Sequence, residues 1–259
     1  YRPSNSAWYI SSLFNGVLSF ARPGDLPVPA DYDGDGRTDI ALYRPSDGLW
    51  WVRRFAGDPI YYTNFGLADD IPVPADYDGD GKFDIAVYRP SNGSWYVRRS
   101  SDNAVHIIQF GLGTDRPVPA DYDGDGKADI AVYRPSTGVW YIFRSSDSGY
   151  TIENFGIETD LTIPADFDGD GKADVAVYRP STGVWYIFRS SDGGVGAVAW
   201  GGGTDIPAPG DYDGDGKWDQ AIFRPADGNW WILRSGDGGV STLNWGTNGD
   251  LPLPRTLLR

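Results

Sequence analysis

The sequence contains no cysteine, no methionine and a single histidine. The absence of cysteine excludes a disulfide scaffold, a thiol nucleophile and a thiolate metal site. Because methionine is absent, we expect the chain to be a processed or excised product. No apolar run approaches the ~18 residues that cross a bilayer, so no membrane span is predicted.

Glutamate is also scarce, since Glu153 and Glu158 are the two glutamates among 36 acidic residues. Aspartate favours turns and metal loops, whereas exposed helix faces favour glutamate. The 35 glycines and 19 prolines are typical of many short turns, and aromatic residues make up 15% of the chain. This composition predicts an all-β fold. The formal net charge of −14 argues against a basic nucleic-acid-binding surface.

The pattern DxDGDGxxD occurs five times at a spacing of 45 residues, beginning at Asp31, Asp76, Asp121, Asp166 and Asp211. Each repeat contains four short extended segments rich in β-branched and aromatic residues, separated by turn residues. Four strands per ~40–45 residues are typical of propeller blades. Because YRP or FRP segments and LPVP-type segments each occur six times, we predict six four-stranded blades.

The predicted fold is therefore one domain over residues 1–259, an all-β, six-bladed β-propeller. The chain begins within a second strand and ends after a first strand. We expect the C-terminal strand, Asp250–Arg255, to pair with the N-terminal blade, so that a seam joins residues 1–25 with 250–259. The first repeat is three residues short, and we assign the deletion to the turn near Asn15 and Gly16.

The aspartate loop has the ligand pattern of a calcium site. Carboxylates stand at positions 1, 3, 5 and 9, and position 7 is expected to contribute its backbone carbonyl while its side chain points to water. An all-oxygen site with excess negative charge suits Ca²⁺ better than Zn²⁺ or Cu²⁺, and Mg²⁺ prefers to keep several waters. The alternative is a set of Asp-Gly-rich turns without an ion, but clustered carboxylates repel one another unless they are neutralised.

The five predicted Ca²⁺ sites comprise Asp31, Asp33, Asp35, Arg37 and Asp39; Asp76, Asp78, Asp80, Lys82 and Asp84; Asp121, Asp123, Asp125, Lys127 and Asp129; Asp166, Asp168, Asp170, Lys172 and Asp174; and Asp211, Asp213, Asp215, Lys217 and Asp219. The loops hold 20 of the 36 acidic residues, and the other 16 face 22 lysines and arginines. Outside the loops the net charge is thus +6, so the acidity belongs to the predicted metal sites.

The loops, together with a Phe-Gly pair after the fourth strand, resemble the FG-GAP/VCBS repeat family. The pair occurs at Phe65-Gly66, Phe110-Gly111 and Phe155-Gly156, and the last two repeats have Trp200-Gly201 and Trp245-Gly246 instead. The family includes the propeller of integrin α subunits, fungal lectins and bacterial secreted proteins. The resemblance implies a calcium-binding propeller and leaves the function open between adhesins, lectins and accessory domains of polysaccharide-degrading enzymes.

Two further sets of residues recur. Aromatic pairs in the third strands pack between blades in one interpretation and stack on sugars in another, and the candidate ligand-binding residues are Trp50, Trp95, Trp140, Trp185 and Trp230. Equal numbers of arginines and aspartates suggest one ion pair per blade. The arginines are Arg2, Arg44, Arg89, Arg134, Arg179 and Arg224, and the aspartates are Asp25, Asp70, Asp115, Asp160, Asp205 and Asp250.

Three functions are compatible with these features. The first is a calcium-stabilised, secreted or cell-surface binding or adhesion module, not an enzyme, that recognises a glycan or a cell-surface protein. The second is a structural protein that self-associates through the ring seam. The third is a polysaccharide-degrading enzyme, for which the asymmetric candidates are His106, Glu153 and Glu158, with no Ser–His–Asp or HExxH arrangement to support it.

Overall fold

The computed structural model describes residues 1–10, 16–18, 20–54 and 60–253. These residues form an all-β structure with one 3₁₀ turn, Pro3–Asn5. Within the described ranges, no helix is long and apolar enough to cross a membrane.

Five four-stranded antiparallel sheets form the blades of a propeller, and each sheet follows the chain order of its strands. Blade 1 contains β3 (Leu26–Pro27), β4 (Ile40–Arg44), β5 (Leu49–Arg53) and β6 (Tyr61–Asn64). Blade 2 contains β7 (Ile71–Pro72), β8 (Ile85–Arg89), β9 (Ser94–Arg98) and β10 (Val105–Gln109). Blade 3 contains β11 (Arg116–Pro117), β12 (Ile130–Arg134), β13 (Val139–Phe143) and β14 (Tyr150–Asn154). Blade 4 contains β15 (Leu161–Thr162), β16 (Val175–Arg179), β17 (Val184–Phe188) and β18 (Val195–Ala199). Blade 5 contains β19 (Ile206–Pro207), β20 (Gln220–Arg224), β21 (Asn229–Leu233) and β22 (Val240–Asn244).

The prediction of six four-stranded blades is wrong. Among the described residues, the N-terminal segment forms a two-stranded sheet of β1 (Trp8–Ile10) and β2 (Gly16–Leu18), hereafter the N-terminal sheet. Tyr1 and Leu251 exchange backbone hydrogen bonds of 2.8 and 3.0 Å, but no strand is formed at residues 251–253. The rest of the predicted closing strand, and the deletion expected at Asn15, lie outside the described residues. The propeller is therefore five-bladed.

Burial along the strands reflects their positions within a blade. In the second strand the residues before the arginine are buried on both faces, as in β12 with Ile130, Ala131, Val132 and Tyr133. The third strand alternates between more and less buried residues, and the fourth is largely exposed at the perimeter. A propeller explains this gradient, because the inner strands contact two neighbouring blades and the outer strands face water.

The first aromatic of each third-strand pair contributes to the packing between blades. Trp140 is fully buried, and its cluster includes Val175 and Val177 from the next blade. Its indole N–H donates to the carbonyl of Phe155 at 2.8 Å. The same arrangement recurs for Trp50, Trp95 and Trp185. Each indole thus fills the interface and satisfies its one polar group within its own blade.

The predicted pairing of arginine with aspartate is confirmed. Each of the six recurring arginines donates two hydrogen bonds to one aspartate, with shortest N···O distances between 2.7 and 2.9 Å. The pairs are Arg2–Asp250, Arg44–Asp25, Arg89–Asp70, Arg134–Asp115, Arg179–Asp160 and Arg224–Asp205.

Each of these ion pairs also fixes a connection between blades. In blade 3 the Asp115 carboxylate accepts the N–H of Leu112 at 2.9 Å, which closes the turn that leads into β11. The guanidinium of Arg134 lies 4.5 Å from the ring centre of Tyr141, the second aromatic of the pair. Bidentate pairing and the aromatic face together hold the arginine in one orientation.

We predict that Asp115→Asn lowers the free energy of unfolding by about 3 kcal/mol, because it leaves a partly buried guanidinium without its counter-charge. The matched control is Asp102→Asn, at an exposed pair with Arg99, which should leave stability nearly unchanged. Urea denaturation of both variants checks this. Equal effects at the two positions would show that the pair in the blade contributes no more than a surface pair.

Candidate metal centres

The aspartate loops project from the connection between the first and second strands of each blade. In blade 3 the loop Asp121–Asp129 is closed at its base by a bridge between Ala120 and Asp129, in which the Asp129 N–H donates to the Ala120 carbonyl at 2.8 Å. Equivalent bridges close the other four loops. The bridge therefore joins the two ends of the loop, and the first and second strands position it.

Hydrogen bonds to side chains set the curvature of each loop. The two carboxylate oxygens of Asp121 accept the N–H groups of Gly124 at 2.6 Å and Gly126 at 2.8 Å. The Asp125 carboxylate accepts the N–H of Lys127 at 2.9 Å. Gly124 and Gly126 have φ of +81° and +86°, a conformation that favours glycine. The alternation of aspartate and glycine thus encodes a tight turn with its carboxylates directed inward.

In every blade three carboxylates converge, each with an oxygen within 4.8 Å of the other two. Positions 1, 3 and 9 form the cluster in four blades, and positions 1, 3 and 5 form it in blade 4. The clusters are Asp31, Asp33 and Asp39; Asp76, Asp78 and Asp84; Asp121, Asp123 and Asp129; Asp166, Asp168 and Asp170; and Asp211, Asp213 and Asp219. The sequence thus identified the converging residues, although it placed all four carboxylates of every loop at one point.

Burial makes five of the loop aspartates harder to ionise than an exposed carboxyl group. The ninth-position aspartates are completely buried in all five loops. Burial raises the pKa of Asp84 and of Asp129 to about 6, although each accepts two backbone N–H groups that act in the opposite direction. Burial likewise raises the pKa of Asp76, Asp121 and Asp174. This donor set consists of carboxylate oxygens, whose negative charge a bound cation would neutralise.

A serine turn that the sequence interpretation missed closes over the loops of blades 2 to 5. In blade 3 the N–H of Ser145 donates to Asp129 at 2.7 Å, and the hydroxyl of Ser146 donates to Asp123 at 2.7 Å. The backbone contact recurs with Ser100, Ser190 and Ser235. The signal was available, because an Arg-Ser pair follows each of these ninth-position aspartates at a constant spacing.

Contacts between successive loops were also missed. The Ala173 N–H donates to the carbonyl of Asp121, the first residue of the preceding loop, at 2.7 Å. The Lys172 side chain crosses the same loop, where a Cβ placed on Gly124 would lie 3.0 Å from the lysine Cγ. The expectation that position 7 points only to water is therefore wrong. The backbone contact recurs at Phe83–Asp31, Ala128–Asp76 and Trp218–Asp166.

The tryptophans proposed as sugar-stacking residues lie away from solvent. Trp50, Trp95, Trp140 and Trp185 have no exposed surface, and Trp230 is partly buried. Their indole N–H groups donate to backbone carbonyls at 2.7 to 2.9 Å. The geometry favours the packing interpretation for these residues. Aromatic rings that remain mostly exposed in the described part of the chain include Tyr62 and Tyr150.

The loop geometry agrees with the comparison of the sequence with known families. The model of the FG-GAP-like repeat matches residues 76–132 and 166–222, and each match begins at the first aspartate of a loop. This chain contains FG-GAP-like repeats. The family predicted from the loops and the Phe-Gly pairs is thereby confirmed. No curated protein sequence matches the chain.

Solved structures share the fold of these FG-GAP-like repeats at low sequence identity. A lectin from Agrocybe aegerita is similar at a TM-score of 0.57 and 18% identity. That lectin specifically recognises non-reducing terminal N-acetylglucosamine. The match covers 84% of this chain and 65% of the lectin. An auxiliary nutrient binding protein from Bacteroides ovatus gives 0.56 at 12% identity, over 90% and 62% of the two chains. A streptogramin B lyase gives 0.57 at 10% identity, over 87% and 73%.

The contact between loops leads to a matched pair of variants. Gly126→Ala places an alanine at a positive φ that is unfavourable for it, although the added Cβ meets no other atom. It should lower the free energy of unfolding by about 1 kcal/mol. Gly124→Ala has the same backbone cost and must also displace Lys172, so we expect a larger loss of stability. Urea denaturation of both proteins measures the difference. If Gly124→Ala costs no more than Gly126→Ala, the lysine does not pack on the preceding loop in solution.

Proposed function

We propose that this chain is a calcium-stabilised binding propeller that acts outside the cell and recognises glycans. The observation that carries the proposal is the repetition of one carboxylate cluster in all five blades. A single acidic cluster on a protein surface requires no ion. Five copies, each with a completely buried aspartate at its base, place more negative charge in the loops than hydrogen bonds from neutral N–H groups offset.

The donor set selects among the common cations. Carboxylate oxygens supply the clusters, serine hydroxyls lie beside them, and no cysteine exists in the chain. Hard oxygen ligands in a flexible loop suit Ca²⁺, which accepts six to eight ligands in irregular geometry. The first, third and ninth aspartates would hold the ion, and the fifth would contribute as it does in the blade 4 cluster. The ion would supply charge neutralisation.

Neutralisation at the loops would stabilise more than the loops themselves. In blades 1 to 4 the first residue of the loop accepts a backbone hydrogen bond from the next blade, and in every blade the ninth residue directly precedes the second strand. The clusters therefore lie where two blades meet. A cation that binds only the folded protein shifts the folding equilibrium by linkage, and five sites add their effects.

Removal of calcium should lower the melting temperature by more than about 10 °C, because repulsion between the clustered carboxylates is restored. Differential scanning calorimetry with excess chelator, and then with calcium or magnesium restored, measures the effect. Calcium should restore the original melting temperature at lower concentration than magnesium. An unchanged melting temperature after complete chelation would refute the role of calcium.

The stoichiometry offers an independent test with a matched variant. Isothermal titration should give five calcium ions per chain, and Asp129→Asn should reduce this number to four. The control is Asp147→Asn, at an exposed aspartate paired with Arg144 outside the clusters, which should retain five. Retention of five ions by Asp129→Asn would exclude that aspartate as a ligand.

The metal site and the related structures support the proposed extracellular location and the proposed ligand. Modest-affinity calcium modules function where calcium is near millimolar, which is the condition outside cells. The lectin from Agrocybe aegerita and the nutrient binding protein from Bacteroides ovatus support a binding role for this fold. Exposed rings at the perimeter, such as those of Tyr62 and Tyr150, offer faces for a sugar.

Repetition also favours binding over catalysis. The residues that break the repeat are His106 in β10 and Glu153 in β14, on the outer strands of two different blades, and Glu158 in the loop after β14. Catalysis needs an acid and a base that meet at one substrate atom. Repeated weak sites instead give avidity for a ligand with many copies of one sugar.

A glycan array probed with the calcium-loaded protein should show binding to a set of related sugars, with higher signal at high glycan density. The same array after chelation should lose this signal, because the blades loosen. No binding to any glycan by a protein that melts cooperatively in calcium would eliminate the glycan proposal and leave the calcium proposal intact.

A further inference from the structure

A cavity of about 210 Å³ lies between blades 2 and 3, beside the aspartate loops of both. Residues of β9, β10 and the turn that joins them line it from blade 2, and residues of the aspartate loop, β12 and β13 line it from blade 3. It contains His106, the one histidine of the chain. The repeat is broken here, since Thr151 and Ser241 stand at the position of His106 in blades 3 and 5.

Cationic side chains border this cavity from both blades. Arg99 and His106 belong to blade 2, and Lys127 belongs to blade 3. Among the described residues that line the cavity, Asp78 supplies the one carboxylate. That carboxylate converges with the other aspartates of its own loop and accepts the Ser101 hydroxyl at 2.6 Å. A negatively charged ligand would therefore meet more positive than negative charge at the cavity.

The guanidinium of Arg99 has one nitrogen without a partner. Its Nε and Nη2 donate to the Asp102 carboxylate, whereas its Nη1 donates to no residue in the described part of the chain. In blade 3 the equivalent Nη1, of Arg144, donates to the hydroxyl of Thr151 at 2.6 Å. His106 replaces that threonine and offers no hydroxyl, so the Nη1 of Arg99 remains available to an acceptor on a ligand.

Lys127 contributes the charge that is least compensated. Its stem crosses the aspartate loop of blade 2, where a Cβ placed on Gly79 would lie 3.1 Å from both Cγ and Cε of the lysine. Across the residues that the structure describes, the Lys127 ammonium forms no ion pair and donates no hydrogen bond. The contact with the preceding loop therefore holds the stem in place and leaves the ammonium free to bind an anion.

The floor of the cavity is apolar. Val97 and Ile130 are 3% and 5% exposed, and Ile108 and Phe143 pack against the same core cluster. An engineered apolar cavity of about 150 Å³ binds benzene. A cavity of about 210 Å³ thus has room for one six-membered ring and a carboxylate.

We propose that this cavity binds a small carboxylate with a ring-sized apolar body. The carboxylate would lie among the Lys127 ammonium, the Nη1 of Arg99 and the His106 imidazole, and the ring would lie on the floor. An inorganic anion would leave the apolar floor in contact with water. A neutral ring would cover the floor and leave the cationic groups without an acceptor. This site is separate from the proposed recognition of glycans and does not depend on it.

His106 gives the test a signal specific to this cavity, because the chain has no other histidine. Protein with ¹³C-labelled histidine shows one set of imidazole signals, which is followed while benzoate is added at fixed calcium, pH and ionic strength. Benzoate should shift these signals to saturation in the millimolar range. Benzamide, which has the ring without the charge, and acetate, which has the charge without the ring, should each bind at least about 10-fold more weakly.

Two lysine variants make the matched comparison. Lys127→Met keeps an apolar stem over the blade 2 loop and removes the ammonium, so it should weaken benzoate binding at least about 10-fold. Lys172→Met makes the same change over the blade 3 loop, away from the cavity, and should bind as the unmodified protein does. Both variants should melt at the same temperature in calcium, which separates a loss of binding from a loss of folding.

A variant at the histidine tests the role of the Arg99 nitrogen. His106→Thr restores the residue of blade 3 and supplies a hydroxyl that accepts from Arg99, so it should also weaken binding when the benzoate signals are observed. The proposal is overturned if benzoate gives no saturable shift of His106, or if benzamide or acetate binds as tightly as benzoate. It is also overturned if Lys127→Met and Lys172→Met weaken binding equally, or if His106→Thr leaves it unchanged.

Discussion

The repulsion among three carboxylates within each aspartate loop is the constraint on which the rest of this structure depends. Oxygens from three side chains lie within 4.8 Å of one another, and the ninth-position aspartate has no exposed surface. Such groups can remain together as protonated acids, or as carboxylates around a cation. Burial raises the pKa of Asp84 and Asp129 to about 6, so these two groups are mostly ionised at neutral pH, and we propose that a cation offsets the repulsion there.

The loops matter because of where they stand in the chain. The first residue of the loop accepts a backbone hydrogen bond from the next blade in blades 1 to 4, and the ninth residue of every loop directly precedes a second strand. On the sheets themselves, the bidentate arginine–aspartate pairs fix the connections between blades, and the tryptophans fill the interfaces. The aspartate loops thus add clustered negative charge to an arrangement held by ion pairs and apolar packing.

Repetition made much of this structure predictable from sequence. The strands, the converging aspartates and the six ion pairs follow from residues that recur every 45 positions, since a pattern repeated in every unit has one structural explanation. The blade number was wrong because segments at the two ends were counted as halves of one blade, whereas the described residues there form a two-stranded sheet and a pair of backbone hydrogen bonds. Counting motifs cannot decide whether separated fragments meet.

Contacts between repeats were the least predictable. The hydrogen bond from Ala173 to Asp121 uses backbone atoms, which carry no signature in residue type. From sequence, the lysine at position 7 of a loop was interpreted as a solvated side chain. In the structure Lys172 lies over Gly124 of the preceding loop. Likewise, stacking on sugars and packing between blades require the same residues, so only burial could separate them for Trp140.

The measurement that tests this account most directly is an anomalous-scattering map of calcium-grown crystals. The account predicts five peaks per chain, among the oxygens of the first, third and ninth aspartates in four blades and of the first, third and fifth in blade 4. A map without peaks in the loops, from crystals in which the aspartates keep this arrangement, would contradict it. The carboxylate clusters would then be held together by hydrogen bonds and protonation alone.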